Sequence, residues 1–305
     1  MPIERYSDGL DAIISVDEQI LELANGFGGD AGPAEGPLWW EETGELLFSD
    51  IGNNRRLKWV PGQGISLVKE PTNFANGLTR DCQGRLLACE HGTRRVVREE
   101  ADGTFTVVAN NYRGRRLNRP NDVVVKSDGN IYFTDPGFPT PGLDLDFNGV
   151  YQVTPDLGTI TLISWDFSRP NGLAFSPDES VLYVNDTRRR HIRAFDLEPN
   201  GMPLLATDRI FCDLGGERPG NPDGMKVDAH GNVYCGGSGG LWVIDPSGKH
   251  LGTLVHGADG TTNMAWGGSD CSTLYFTTRH TFCLLYTSDA ADDTPCVDLG
   301  GRRII

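Results

Sequence analysis

The chain has 305 residues, with 42 Asp and Glu against 27 Lys and Arg, and a formal net charge of −15. That charge repels phosphate and so argues against a nucleic-acid or anionic-membrane partner. No apolar run reaches the ~20 residues that a membrane-crossing helix needs, while 6 Trp, 13 Phe and 8 Tyr supply the apolar mass for a large folded core.

The opening stretch, MPIERYSDGLDAIISVDEQ, carries acids early and holds no apolar segment of the secretory kind, so a cytoplasmic protein is expected. EQILELAN (18–25) reads as a strand. From residue 35 onward a repeat governs the chain. EGPLWWEETGELLFSD (35–50), NGLTRDCQGRLLACEH (76–91) and NDVVVKSDGNIYFTDP (121–136) align with one another. NGLAFSPDESVLYVND (171–186), DGMKVDAHGNVYCGG (223–237) and NMAWGGSDCSTLYFTT (263–278) continue the series, and the starts are 41, 45, 50, 52 and 40 residues apart. Each segment reads as strand, turn, strand, with Asp- and Gly-rich turns such as SDGN (127–130) and DAHGN (228–232). A second hairpin follows each, turning at PGQG (61–64), ADG (101–103), TPDLG (154–158), EPNG (198–201) and DPSG (245–248).

About four strands per unit at this period predict an all-β protein, a six-bladed β-propeller with four-stranded antiparallel blades, in one domain spanning 1–305; the central metal site expected in it rests on the residues that open each unit. The last unit has little room for two more good strands, so the strand near 18–25 is expected to close the last blade. Residues 284–305, LLYTSDAADDTPCVDLGGRRII, lose the alternation and are expected to form an irregular tail.

The residue that opens each unit is Glu35, Asn76, Asn121, Asn171, Asp223 and Asn263. In a propeller, equivalent positions ring the axis, so six side-chain oxygens would converge at one end of it. Oxygens without sulfur or imidazole describe a site for a hard cation, Ca²⁺ first, with Mg²⁺ or Mn²⁺ also accommodated. A second column, Asp50, Glu90, Asp135 and Asp186, ends the second strand of successive units and is expected to bond loop amides. His91 lies beside Glu90 on the same face. Arg119, two residues before Asn121, would stand at the channel mouth and hold a polar or anionic substrate. The loop 137–149 is a candidate lid, or else a spacer. The remaining basic residues of RGRRLNR (113–119) and TRRR (187–190) read as solvated loop charges. Seven Cys, odd in number and without a CxxC pair, predict reduced thiols. P-loop and HExxH motifs are absent, and GGSGG (236–240), which matches GxSxG, stands after a strand in a hairpin context and reads as a tight loop of the fifth unit, not a nucleophile elbow.

At AEGPLWW (34–40), RPNDVVVKSDGNIYFTDP (119–136), RPNGLAFSPDE (169–179) and NPDGMKVDAHGNVY (221–234) the sequence resembles the senescence marker protein / gluconolactonase / luciferin-regenerating enzyme family, to which regucalcin belongs. The wording is similar to the microbial gluconolactonase branch. The resemblance implies a six-bladed propeller with one divalent cation at the channel end, held by Glu35, Asn171 and Asp223. It implies substrate contacts from Arg119 and Asn121, and Asp223 as catalytic acid/base. Asn76, His91 and Asn263 would support that set. The expected activity is metal-dependent hydrolysis of a sugar lactone, a small-molecule substrate, with Ca²⁺ favoured and Zn²⁺, Mn²⁺ or Mg²⁺ admitted. A free Asp, with its ordinary pKa of ~3.9, would be a weak base for that reaction. A phosphotriesterase-like hydrolase and a non-catalytic calcium-binding propeller are the alternative readings.

Overall fold

The structure is a computed structural model describing residues 2–257 and 260–287. Six antiparallel sheets stand around one axis as a β-propeller. From the axis outward, blade 1 is Ala34–Trp40, Glu45–Asp50, Arg55–Val60 and Gly64–Lys69. Blade 2 is Ala75–Arg80, Leu86–Glu90, Arg95–Glu99 and Phe105–Ala109. Blade 3 is Val123–Val125, Ile131–Asp135, Gly149–Val153 and Ile160–Ser164. Blade 4 is Pro170–Phe175, Val181–Asp186, His191–Asp196 and Arg209–Asp213. Blade 5 is Met225–Val227, Val233–Gly237, Gly240–Ile244 and His250–Leu254, with Ile3–Arg5 added outside. Blade 6 is Thr261–Gly267, Thr273–Thr278 and Thr281–Tyr286, with Leu21–Asn25 outermost. The inner strands touch their neighbours in sequence order, and the ring is completed where Thr261–Gly267 meets Ala34–Trp40.

The hairpins form where the sequence places Asp. Asp128 Oδ1 accepts the Asn130 amide at 2.9 Å, and Asp228 Oδ1 accepts the amides of His230 at 3.0 Å and Asn232 at 2.8 Å. These side chains satisfy the turn's own backbone and set each register. Between blades, aromatic edges interlock: Tyr132 meets Phe175 at 5.0 Å and Tyr234 meets Trp266 at 5.0 Å. Such rings bury large apolar area and gain ~1 kcal/mol beyond it from their geometry.

Two features differ from the expectations. Leu284, Leu285 and Tyr286 belong to a strand of blade 6, not to a tail, while 288–305 lie outside the described residues. In FCLLY, Phe282 and Leu284 face the cluster with Phe48, whereas Cys283 and Leu285 face the cluster with Phe276. Both faces are buried between blades, so the run is continuously apolar and shows no alternation. The second difference is Cys271, which is disulfide-bonded; Cys89, Cys212, Cys235 and Cys283 are free thiols. Among the described residues no helix is long and apolar enough to cross a membrane.

Residues 2–20 pack beneath blades 5 and 6. Ile3, Leu10, Ile13, Ile14 and Ile20 are buried in one cluster with Tyr234, Leu241 and Phe276. Close by, His250 stacks on Trp242 with ring centroids 3.6 Å apart. Burial lowers its pKa to about 4, against a bond to the Gly252 carbonyl that pulls the other way. The unfolded chain therefore takes up this proton first, and stability falls as pH drops from about 6.5 toward 4. After discounting for partial exposure, roughly 1 kcal/mol should be lost by pH 4.5. Urea midpoints at pH 7 and 4.5 should show a smaller loss in His250→Gln than in the wild type; an equal loss would remove His250 as its source.

Candidate functional site

Glu35, Asn76, Asn171 and Asn263 lie near the start of inner strands, and Asn121 and Asp223 lie two residues before theirs. All but Asn263 line one cavity of about 320 Å³ at the end of the axis, which His91 and Arg119 also line. Asn263 is buried behind Glu35 and donates to its Oε2 at 3.1 Å. The Gly36 amide donates to the same oxygen at 2.7 Å.

The ring amides are linked in series. His91 Nε2 lies 3.3 Å from Asn76 Nδ2, which donates to Asn121 Oδ1 at 2.8 Å. Asn121 Nδ2 donates to Asn171 Oδ1 at 2.5 Å, and Asn171 Nδ2 donates to Thr187 Oγ1 at 3.2 Å. Thr187 in turn donates to the Pro222 carbonyl at 2.8 Å, next to Asp223. Asn121 is thus engaged on both sides of its amide by ring neighbours.

Glycine follows the ring residue in four blades, because the inner strands approach closely there. At Gly172 a Cβ would lie 2.4 Å from the Asp223 carbonyl oxygen and 2.7 Å from the Met225 amide nitrogen. Neither backbone atom can step aside cheaply. Gly172→Ala should therefore cost about 1–3 kcal/mol and displace Asp223. A lowered denaturation midpoint together with weaker cation binding would check this; an unchanged midpoint would refute it.

In blade 3 the equivalent position is Asp122, a buried third carboxylate near the axis. Burial, then the charges of Asp223 and Asp122, raise Glu35 well above the usual carboxylate range. Burial raises Asp223 to about 7, although contacts with Asn171 and Glu35 and the charge of Arg169 pull it down. Before any ligand binds, Asp223 is therefore a stronger base than the free side chain. His91 is lowered to about 4 by burial and by the nearby charges of Arg119 and Arg169, so it is neutral at pH 7.

The second column of carboxylates pins loops. Asp135 Oδ2 accepts the Asn118 amide at 2.7 Å, and Asp50 accepts the Gly28 amide at 2.8 Å. Asp186, fully buried, accepts the amides of Ser168 at 2.6 Å, Arg169 at 3.1 Å, Arg188 at 3.0 Å and Arg189 at 3.0 Å. Glu90 accepts from Asn73 at 3.1 Å and from Arg95 at 2.6 Å.

Around the mouth stand Arg119, Arg169, Arg188 and Arg279, with Asp30 among them. Phe138 and Thr140 bring the long loop over the same cavity. That loop is anchored by Arg94–Asp144 at 3.0 Å and Arg115–Asp146 at 3.1 Å. Arg188 is exposed and lines the cavity, whereas Arg189 pairs with Asp166 at 2.9 Å. The sequence reading passed over Asp122, Arg169 and Arg188. The tripeptide Arg-Pro-Asn occurs at 119–121 and again at 169–171. That repetition was the available signal for Arg169.

Comparison with known proteins places this geometry. The pattern of the SMP-30/Gluconolactonase/LRE-like region matches residues 33–280. A gluconolactonase of Zymomonas mobilis is 34% identical, over 91% of this chain and 84% of that protein. The solved structure of a gluconolactonase from Xanthomonas campestris superposes with a TM-score of 0.83 at 32% identity, covering 94% of this chain and 95% of that one. A calcium-binding regucalcin from Agrobacterium tumefaciens shares the fold, with a TM-score of 0.69 at 23% identity over 85% of this chain and 93% of that one.

Proposed function

The chain belongs to the SMP-30/gluconolactonase/LRE-like family, and on that premise we propose that it is a lactone hydrolase of the gluconolactonase type, opening a sugar lactone. The observation that carries this reading is the pair of carboxylates Glu35 and Asp223 facing each other at the floor of a cavity roofed by arginines.

The donor set fits a divalent cation. Two carboxylates held together in a buried place, one raised well above its usual range and the other to about 7, are relieved by a positive ion between them. With the Asn171 amide oxygen they form an all-oxygen set suited to Ca²⁺, with Zn²⁺, Mn²⁺ or Mg²⁺ as substitutes. When bound, the cation supplies Lewis acidity to the ester carbonyl and to the charge that develops on its oxygen.

Asp223 takes the proton of the attacking water as general base. Glu35 would be one of the residues holding the cation, its carboxylate positioned by the Gly36 amide and Asn263, which donate to Oε2. Asn121 contributes by orienting Asn171 through its amide as well as by touching substrate, and Arg119 orients the sugar hydroxyls. Asn76, His91 and Asn263 hold the ring in register.

The test is lactone hydrolysis by metal-stripped protein, followed with a pH indicator. Ca²⁺, Mn²⁺, Mg²⁺ and Zn²⁺ are returned one at a time, with Glu35→Gln in parallel. Activity should return with metal in the wild type and be reduced by about 100-fold or more in the variant. Full activity in the stripped protein, or equal rescue of Glu35→Gln, would sink the metal-dependent reading.

A further inference from the structure

Among the described residues, most arginine side chains have a polar partner. Arg55 pairs with Asp50, Arg85 with Asp81, Arg193 with Asp208 and Arg218 with Glu4. Arg190 bonds the Gly216 and Gly220 carbonyls, and even Arg279 at the cavity mouth reaches the Gly29 carbonyl at 3.3 Å. The side chains of Arg119, Arg169 and Arg188 have neither a hydrogen bond nor an ion pair, and all three line the cavity. In a chain of charge −15, with carboxylate partners for most other guanidinium groups among the described residues, three unengaged ones at a single mouth call for a partner that is not part of the protein.

The backbone explains how they are kept free. Asp186 is the nearest fully buried carboxylate to two of them in sequence, yet its oxygens take the backbone amides of Arg169 and Arg188. Asp135 does the same for the segment carrying Arg119, taking the Asn118 and Arg119 amides. Each carboxylate thus fixes the loop and leaves the side chain unneutralised. The three arginines come from the loops leading into blades 3 and 4 and from the loop after the second strand of blade 4. The acidic rim residue, Asp30, lies in the connection between blades 6 and 1, on the opposite side of the ring. The mouth is therefore asymmetric: three unpaired cations over blades 3 and 4, and one acid, Asp30, beside one cation, Arg279, over blades 6 and 1.

We infer that the substrate is a lactone carrying a second, anionic group, a carboxylate or a phosphate, seated on Arg119, Arg169 and Arg188 while its ester lies over Glu35 and Asp223. This rests on the lactonase reading above and narrows its substrate class. A guanidinium fork matches both anions with paired N–H donors. A neutral sugar would need only one or two donors for its hydroxyls and would leave the remaining positive charge unanswered.

The test compares three substrates on the metal-loaded full-length protein: gluconolactone, its 6-phosphate, and the corresponding lactone with a carboxylate at carbon 6. One anionic lactone should be preferred in kcat/KM by on the order of 10–100-fold at low ionic strength. The preference should shrink as salt rises, because the mouth is open to solvent. Arg169→Gln and Arg188→Gln should each lower the ratio of anionic to neutral turnover by roughly 10-fold. Both should also weaken calorimetric binding of the open-chain six-carbon dicarboxylate. The better of the two anionic substrates names the anion. Equal or faster turnover of gluconolactone, or a preference that survives both substitutions, overturns the inference and leaves lactone hydrolysis standing. No turnover of any of the three overturns lactone hydrolysis itself.

Discussion

Asp223→Ala should abolish lactone turnover, with a loss of at least ~1,000-fold in kcat. The residue sits where two requirements meet. Its carboxylate faces Glu35 and Asn171, so removing it takes one of the two charges from the donor set proposed for the cation. It is also the carboxylate proposed to take the proton of the attacking water; burial raises it to about 7 before a cation binds, and a bound cation would lower it again. Asp223→Asn separates the two roles. The amide keeps an oxygen for the cation and cannot act as base, so cation binding should weaken modestly while kcat falls nearly as far as in the alanine variant. Calorimetry with Ca²⁺ and initial rates on the same preparations make the comparison. More than a tenth of wild-type turnover in either variant would remove Asp223 from the reaction.

The second large effect is on folding. A chain lacking residues 1–25 should not form a stable propeller. It loses Leu21–Asn25, the outermost strand of blade 6, whose register runs from Leu21 opposite Leu284 to Asn25 opposite Thr281. It loses Ile3–Arg5, which pairs with the outer edge of blade 5. It also loses the buried side chains of Ile3, Leu10, Ile13, Ile14 and Ile20. At 1.5–3 kcal/mol for each buried side chain, those five residues alone amount to about 10 kcal/mol, comparable with the whole stability of a typical domain. Loss of the cooperative thermal transition, restored on adding the 1–25 peptide, is the expected result. A truncated chain melting within a few degrees of the full chain would show that the ring closes without this segment.

The sequence carried the repeat because a blade is a local object. Strand, Asp-Gly turn and strand recur within about twenty residues, and Asp128 and Asp228 perform in space the turn-making that their sequence context announces. Register then placed Glu35, Asn121, Asn171 and Asp223 at equivalent points of successive units, and the propeller geometry brings them to one cavity. The wall and roof of that cavity were harder to read. Asp122 stands where four other blades have glycine, and only the approach of inner strands makes it a neighbour of Glu35. Leu284 to Tyr286 read as irregular because a strand buried on both faces carries no alternation.

By itself, then, the sequence determined the number of blades and the identity of the ring oxygens, which follow from spacing along the chain, while the family was carried by the resemblance of its motifs. Tertiary structure decided how residues 2–20 pack against blades 5 and 6, and which carboxylates neutralise arginines rather than hold loops. It left Arg119, Arg169 and Arg188 free at the mouth. Those outcomes depend on distances between segments 50 or more residues apart, as between Asn121 and Asn171. An ion pair is made or withheld by a few ångströms of loop position, which no local pattern encodes.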